Sequence, residues 1–340
     1  MFRIRQAYRE DIDQVYEVAK HLDTVNLPAD RAVIEGILER AEAAFARQVP
    51  PAEREFLFVL EDLTRQRIIG TSMIYAQHGT RRAPHIFYRV ENDERYSVTL
   101  DRHFVHPTLR IGFTYDGPTE IGGLVLLPEY RRSPPGLGKA LSFVRFLYIR
   151  MHRPWFRDQV LSELLPPLER GTSRLWEAVG RKLTGLTYQE ADRISKDSKE
   201  FIQALFPADP IHTALLPEEV RAIIGQVGPE TRPVEALLRR IGFTYAQQVD
   251  PFDGGPHFIA TTDDITLVRD ARELVVDAIE VAGDHRPWAV LAVELPGARP
   301  ELRAIGARVV RTAEDRIGVD EDARRRLGVE AGQRVWMCYG

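Results

Sequence analysis

"TEIGGLVLLPEYRRSPPGLGKALS", residues 119–142, is the stretch that decides the fold. Its first ten residues form an apolar run typical of a buried strand. Two arginines, two prolines and Gly-Leu-Gly follow, and from Lys139 to about Met151 apolar residues recur at helical spacing. The stretch therefore predicts a strand, a glycine turn and the N-terminus of a helix, with positive side chains beside the turn.

The predicted turn has the chemistry of a phosphate site. Amides at a helix N-terminus lack partners inside the helix, and the helix dipole adds partial positive charge there. Gly136 and Gly138 would let the main chain curl around a phosphate, while Arg131, Arg132 and Lys139 would supply counter-charge. This geometry suits a pyrophosphate. A tight turn with solvated arginines is the alternative, because a single Gly-x-Gly is weak evidence.

Composition excludes several classes of function. The 340 residues suffice for about two domains, and a net charge of −4 gives no basic footprint for nucleic acid. No apolar run is long enough to span a membrane, and the N-terminal residues do not resemble a signal peptide. A single cysteine, Cys338, fits a reducing cytoplasm, and the nine scattered histidines form no HxxxH motif. We therefore expect a cytoplasmic protein without a dedicated metal site.

The remaining pattern is that of a mixed α/β protein. Strands are predicted at "FRIRQA", "EFLFVLED" and "RIIGTSMIYAQHG", and helices after Asp11 and over about 31–47. Residues 81–112 show no assignable pattern. We predict a domain over residues 1–255, with a helical insertion at about 168–230, and a small β-rich domain over 256–340.

The order of these pieces resembles the GNAT superfamily, in which acyl-CoA pyrophosphate lies on a loop after a central strand. The whole chain more closely resembles the arginine N-succinyltransferase family. That resemblance is carried by ordered blocks: "FVLED" (58–62), "IIGTSMI" (68–74), "YRV" (88–90), "TEIGGLVLLPEYR" (119–131), "LWEAVGRKLTGLTYQEAD" (175–192), "KEFIQALFPADPIHTALLPEE" (199–219), "IIGQVGPETRP" (223–233) and "DPFDGGP" (250–256).

The resemblance implies an activity and a fold. The activity is succinyl transfer from succinyl-CoA to the α-amine of L-arginine in arginine degradation, with no permanently bound cofactor. The fold is an α/β (α+β) GNAT-like mixed sheet with helices on both faces and a small C-terminal β-barrel-like domain. An oligomer of like or homologous subunits is implied too. Leu124 matches the family's succinyl-CoA-binding leucine, and Gly136 and Gly138 match its pyrophosphate glycines.

The sequence departs from the family's pattern at three places. "RRSPPGLG" is two residues longer than the family's loop, and "SELLPP" (162–167) keeps Glu163 but lacks a neighbouring arginine. Gly228 stands where the family has the histidine taken as proton donor. Because glycine cannot titrate, that role is open, and restoring histidine at position 228 is expected to raise the rate if only the donor is missing.

Three residues are candidates for the chemistry. His212 in "PIHTALLP" is a substitute proton donor or a plain surface histidine. Glu120 and Glu163 would accept the ammonium proton through a water or bind the guanidinium, or else are salt-bridged strand ends. Asp250 and Asp253 form a guanidinium clamp or, by the plainer interpretation, a turn with Asx-type hydrogen bonds.

Three functions remain open at this stage. The first is an arginine succinyltransferase, the second an acyl-CoA-binding subunit that has lost catalysis and pairs with an active homologue, and the third an N-acyltransferase for another amine.

Overall fold

The structure is a computed structural model that describes residues 1–21, 26–81, 83–131, 136–168, 171–279, 286–297 and 300–340. These residues form two compact units, and each is described by itself. The first unit comprises residues 1–77, 119–158 and 261–340, and the second comprises residues 78–118 and 159–260.

The described residues form strands and helices in mixed order. The strands are β1 Phe2–Gln6, β2 Glu55–Asp62, β3 Arg67–Tyr75, β4 His85–Ser97, β5 Arg102–Thr114, β6 Thr119–Leu126, β7 Gln159–Glu163, β8 Ile211–His212, β9 Thr244–Val249, β10 Pro256–Thr261, β11 Arg272–Ala278, β12 Trp288–Leu295, β13 Glu301–Arg308, β14 Val310–Ala313, β15 Arg316–Val319 and β16 Arg334–Tyr339. The α-helices are α1 Ile12–Ala19, α2 Arg31–Phe45, α3 Leu137–Met151, α4 Arg181–Thr184, α5 Tyr188–Asp197, α6 Glu200–Leu205, α7 Glu218–Arg221, α8 Arg232–Arg240, α9 Thr266–Arg269 and α10 Glu321–Leu327.

The first unit is built on one sheet with the order β14-β15-β11-β16-β12-β13-β1-β2-β3-β6. β2 and β3 are buried along nearly their whole length. Such continuous burial is typical of strands that are covered on both faces of a sheet. Helices α1, α2 and α3 pack against them. The predicted strand and helix around residues 119–151 are therefore present, with α3 almost entirely buried.

Residues near the C-terminus join the same sheet through pairing of β13 with β1. They also have a hydrophobic core of their own, whose buried members all lie between Leu274 and Met337. The predicted small β-rich domain over residues 256–340 stays a prediction, as does the domain over residues 1–255.

The second unit carries the sheet order β7-β10-β9-β4-β5-β8. Its core gathers aromatic and aliphatic side chains around Trp176, which is fully buried and stacks on Phe252 at 4.9 Å between ring centroids. β4 and β5 form the hairpin that occupies most of residues 81–112, which the sequence left unassigned. Residues 91–106 of this hairpin pair only with each other among the described residues.

Candidate functional site

The central strand β6 contains a β-bulge at its glycine pair. Thr71 of β3 lies opposite Val125 and Met73 lies opposite Gly122, so that Gly123 and Leu124 face a single residue. Gly123 has φ +54°, a conformation that favours glycine, and its carbonyl accepts a hydrogen bond from the Thr71 hydroxyl at 3.0 Å. Bulges turn the main chain out of the regular ladder. The bulge places half-buried Leu124 where the strand's backbone departs from its partner.

Helix α3 begins at the two predicted glycines. Gly136 is the N-cap with φ +91°, and its carbonyl accepts the Ala140 amide at 2.8 Å. At Gly138 a Cβ atom would lie 3.6 Å from the Leu126 side chain, which is an ordinary contact. The fold itself therefore does not require glycine at position 138. A main chain left open at a helix N-terminus is suited to an anion.

The three predicted positive side chains behave differently. Arg131 is exposed, and its Nε donates to the Leu126 carbonyl at 3.0 Å. The ammonium of Lys139 lies 5.1 Å from the ring centroid of Trp288 and 5.4 Å from that of Phe143, within cation–π range. Arg132 lies outside the described residues.

A cavity of about 170 Å³ adjoins the helix N-terminus within the first unit. Gly136 and Trp288 line it together with two arginines, Arg3 and Arg326. Both arginines are already ion-paired, with Glu61 at 3.0 Å and Asp322 at 2.8 Å. The cavity therefore adds space beside the glycine turn but little uncompensated charge.

Glu120 is buried on β6 and accepts a hydrogen bond from Nδ2 of Asn26 at 2.9 Å. Gly122 makes this contact possible, because a Cβ atom there would lie 2.1 Å from the same Asn26 nitrogen. The Tyr75 hydroxyl donates to the Asn26 carbonyl at 3.4 Å. Burial and the negative charges of Glu55 and Glu120 raise the pKa of Tyr75 well above its usual range. Glu120 is thus held in place by a polar contact.

In the second unit, three histidines surround Glu163 at the end of β7. Their Nε2 atoms lie 3.4 Å (His85), 3.5 Å (His257) and 3.9 Å (His78) from one oxygen of the carboxylate. Burial alone would raise the pKa of Glu163, but the charges of His257, His78 and His85 hold it well below its usual range. Glu163 is therefore a carboxylate anion held among three imidazoles, and the histidines are the members of this cluster that titrate near neutral pH. These histidines were not predictable from the sequence, since positions 78, 85 and 257 form no motif.

The same atoms are close enough to share a cation. The ligand atoms of His78, His85 and Glu163 lie within 4.8 Å of one another, as do those of Glu163, Asp250 and His257. The sequence gives no metal-binding motif, so the expectation that the protein has no dedicated metal site stays a prediction.

Asp250 and Asp253 shape the turn between β9 and β10. Asp250 accepts hydrogen bonds from the amides of Phe252 (2.7 Å) and Asp253 (3.1 Å), and Asp253 accepts one from Gly255 (2.7 Å). These bonds confirm the Asx-type turn. Burial and the neighbouring charge of Glu163 raise the pKa of Asp250 to about 7. Burial and Asp250 raise the pKa of Asp253 well above its usual range.

His212 is not brought to Glu163. It lies on β8, at the opposite edge of the second unit's sheet from β7. Five strand spacings separate these edges, roughly 24 Å. His212 is instead 3.8 Å from Asp93 and more than a third exposed. Its assignment as substitute proton donor stays a prediction.

Gly228 lies against the other altered segment of the second unit. Its amide donates to the Leu165 carbonyl at 2.9 Å, and a Cβ atom would lie 2.8 Å from the Pro166 carbonyl oxygen. Real Cβ atoms are essentially never that close to a backbone oxygen. A side chain at position 228 is therefore excluded unless this backbone moves.

No helix within the described part of the chain has the length and apolarity needed to cross a bilayer. The bulged strand, glycine turn and buried helix are the features of a GNAT-like acyltransferase fold, as the sequence predicted. This fold class is confirmed by the solved structure of arginine/ornithine succinyltransferase subunit AI from Pseudomonas aeruginosa, which is 27% identical and matches with a TM-score of 0.85 over 100% of this chain and 98% of that one.

Sequence comparisons identify the family. The profile described as arginine N-succinyltransferase beta subunit matches residues 2–267. The arginine N-succinyltransferase of Yersinia pestis is 33% identical over 98% of this chain and 97% of its own length. Subunit beta of the Pseudomonas aeruginosa arginine N-succinyltransferase is 32% identical over 98% of this chain and 96% of its own length. The chain belongs to the arginine N-succinyltransferase family.

Proposed function

We propose that the protein transfers the succinyl group of succinyl-CoA to the α-amine of L-arginine, giving N2-succinylarginine and free CoA, in the cytoplasm. The observation that carries this proposal is near full-length similarity to proteins named for the reaction. The bulged strand and open helix N-terminus are what a CoA thioester needs for binding. The other amines left open by the sequence have no such support.

We assign CoA binding to the first unit. Main-chain amides around Gly136 and Gly138 bind the pyrophosphate at the N-terminus of α3, where the helix dipole favours negative charge. The backbone at Leu124 hydrogen-bonds the pantetheine, because the bulge turns it out of the β3 ladder. Arg131 and Lys139 stand beside this turn as sources of positive charge.

We assign proton transfer to the second unit's cluster of Glu163 and histidines. Glu163 takes a proton from the α-ammonium of arginine through a water, and the free amine attacks the thioester carbonyl. As the carbon–sulfur bond breaks, His78, which is the most exposed of the three histidines, donates a proton to the leaving thiolate, and the second proton of the attacking nitrogen passes through water to the imidazole that His78 leaves neutral. General acid–base catalysis of this kind contributes about 10²–10⁴-fold in rate. In this proposal, the cluster takes the role of the proton-donating histidine that the family has at the position of Gly228.

The second candidate function is an acyl-CoA-binding subunit without catalysis. The surroundings of Gly228 favour it, since a Cβ atom there would lie 2.8 Å from the Pro166 carbonyl oxygen and a histidine would not fit without a backbone shift. Such a subunit would keep the glycine turn and the bulge while an active homologue performs the transfer.

Thiol release from succinyl-CoA in the presence of L-arginine separates these functions. Release that depends on arginine, with N2-succinylarginine identified by mass spectrometry, is the expected result. Binding of CoA by calorimetry without release above background would establish the binding subunit instead. Release with other amines only would overturn the arginine assignment.

A further inference from the structure

A buried arginine lies in the middle of helix α3. Arg145 is only 3% exposed. Its guanidinium donates from Nε to the Ser142 carbonyl at 3.0 Å, from one terminal nitrogen to the Ser142 hydroxyl at 2.8 Å, and from the other to the Gly122 carbonyl at 3.4 Å. All three acceptors are neutral. The charge of Arg145 is therefore solvated by dipoles alone.

No carboxylate among the described residues is ion-paired with this guanidinium. Burial lowers the pKa of Arg145 to about 9, with no opposing contribution from a negative group, so the side chain keeps its charge at neutral pH. Burying a charge without a counter-ion is costly. An anion supplied by a ligand would remove that cost.

Arg145 also lies at the depth where the acyl end of a CoA thioester is expected. It is nine residues beyond Gly136, which corresponds to about 13 Å along the helix from the proposed pyrophosphate site. One terminal nitrogen contacts Gly122, next to the bulge formed by Gly123 and Leu124. The guanidinium, which belongs to helix α3, therefore contacts the strand to which we assign the pantetheine.

We propose that Arg145 recognises the terminal carboxylate of the succinyl group and so makes the site selective for a dicarboxylic acyl chain. This inference rests on the proposed function and deepens it. When the succinyl carboxylate binds, the two terminal nitrogens give up their hydrogen bonds to the Gly122 carbonyl and the Ser142 hydroxyl. They donate instead to the two oxygens of the carboxylate, a bidentate pair that among side chains only arginine forms.

Calorimetry with succinyl-CoA and butyryl-CoA tests the proposal, because butyryl-CoA has the same chain with a methyl group in place of the carboxylate. The wild type is expected to bind succinyl-CoA about 10- to 100-fold more tightly. Arg145→Met should abolish this preference while binding butyryl-CoA normally. Arg150→Met, on the same helix and half-buried, is the matched control and should keep the preference.

Each outcome decides the question. Equal affinities in the wild type, or an unchanged preference in Arg145→Met, would overturn the proposal and leave Arg145 as a structural contact between α3 and β6. If Arg145→Met does not fold, Arg145→Lys provides the test instead. A lysine cannot form the bidentate pair, so the preference for succinyl-CoA over butyryl-CoA must fall about several-fold. No acceptor amine is involved, so failure of arginine transfer alone leaves the test intact. Absence of any thioester binding overturns the proposed function as well.

Discussion

Gly228 lies against the segment 162–167, and the sequence is expected to depart from its family at both places. The Gly228 amide donates to the Leu165 carbonyl at 2.9 Å, and a Cβ atom at residue 228 would lie 2.8 Å from the Pro166 carbonyl oxygen. A side chain at position 228 therefore requires a shift of the backbone in this contact.

The contact revises what is expected of substitutions at position 228. Gly228→Ala should lower the free energy of unfolding by about 1–3 kcal/mol, because overpacking against a backbone forces it to shift. Gly228→His should be destabilised at least as much and gain no rate. Urea unfolding measures the change, with Gly138→Ala as the control, since a Cβ atom there makes only an ordinary contact. An unchanged midpoint for Gly228→Ala would show that the Pro166 segment moves freely.

Glu163 is the residue on which the proposed chemistry depends most. Its pKa is held well below the usual range, so it is an anion at neutral pH but a weak base, and the proton that it accepts through water has to pass on to a neighbouring imidazole. Glu163→Gln should lower kcat by about 10²–10⁴-fold and leave the Kd of succinyl-CoA unchanged. Thiol-release kinetics and calorimetry measure the two quantities.

His103→Gln is the control for that experiment, since His103 is exposed on the β4–β5 hairpin. His212→Gln belongs in the same series because His212 is the competing proton donor. If His212→Gln lowers kcat and Glu163→Gln does not, the proton donor is His212. The cluster of Glu163 and histidines then has no part in the mechanism.

At the scale of elements, the sequence predicts those whose signals are local. β6 and α3 follow from an apolar run, a glycine turn and helical spacing, all within residues 119–151. The bulge in β6 was not predictable, because it depends on which residues of β3 lie opposite. The β4–β5 hairpin was missed because residues 91–106, which pair only with each other among the described residues, are mostly exposed and lack a periodic apolar face.

The Asx turn between β9 and β10 should make stability depend on pH. The folded pKa of Asp250 is about 7, above its unfolded value of about 3.9, so the folded protein holds a proton that the unfolded chain releases. Stability from this group is therefore present at low pH and is lost as pH rises between these two values. Asp250→Asn keeps the oxygen that accepts the turn's hydrogen bonds. It should be more stable than the wild type at pH 8 by up to about 4 kcal/mol, and close to it near pH 4.

Thermal unfolding across pH 4–8 measures this difference. Asp263→Asn is the control of opposite sign, because ion pairing with Arg153 lowers the pKa of Asp263 in the folded state. That substitution should cost stability at pH 8 and progressively less as pH falls. A pH-independent difference for Asp250→Asn would contradict a raised pKa in the turn.

At the scale of the whole molecule, chemistry assembles from residues far apart in the sequence. His85 on β4 and His257 on β10 meet Glu163 at the end of β7 because these strands belong to one sheet, and His78 joins them from the connection that precedes β4. Spacing along the chain carries no trace of that arrangement, so the sequence led to Glu163 but not to its partners. The family resemblance contributed the CoA residues, since those lie within one continuous motif.

The β4–β5 hairpin presents apolar side chains to solvent at its tip, where Val98 is 82% exposed, Leu100 62% and Tyr96 59%. Exposed apolar clusters of this kind mark protein interfaces. We expect the tip to bind a second copy of this chain, so that the protein is an oligomer in solution.

Replacing Val98 and Leu100 together by aspartate should shift the molecular mass in light scattering from the oligomer toward the monomer, because two charges would have to be buried in the interface. Thermal stability should change little, since both side chains are outside the core. Leu215→Asp is the matched control: Leu215 is 84% exposed but lies outside the hairpin, so the mass should stay that of the oligomer. A wild-type mass equal to one chain would show that there is no such interface. A double variant that stays oligomeric would place the interface elsewhere.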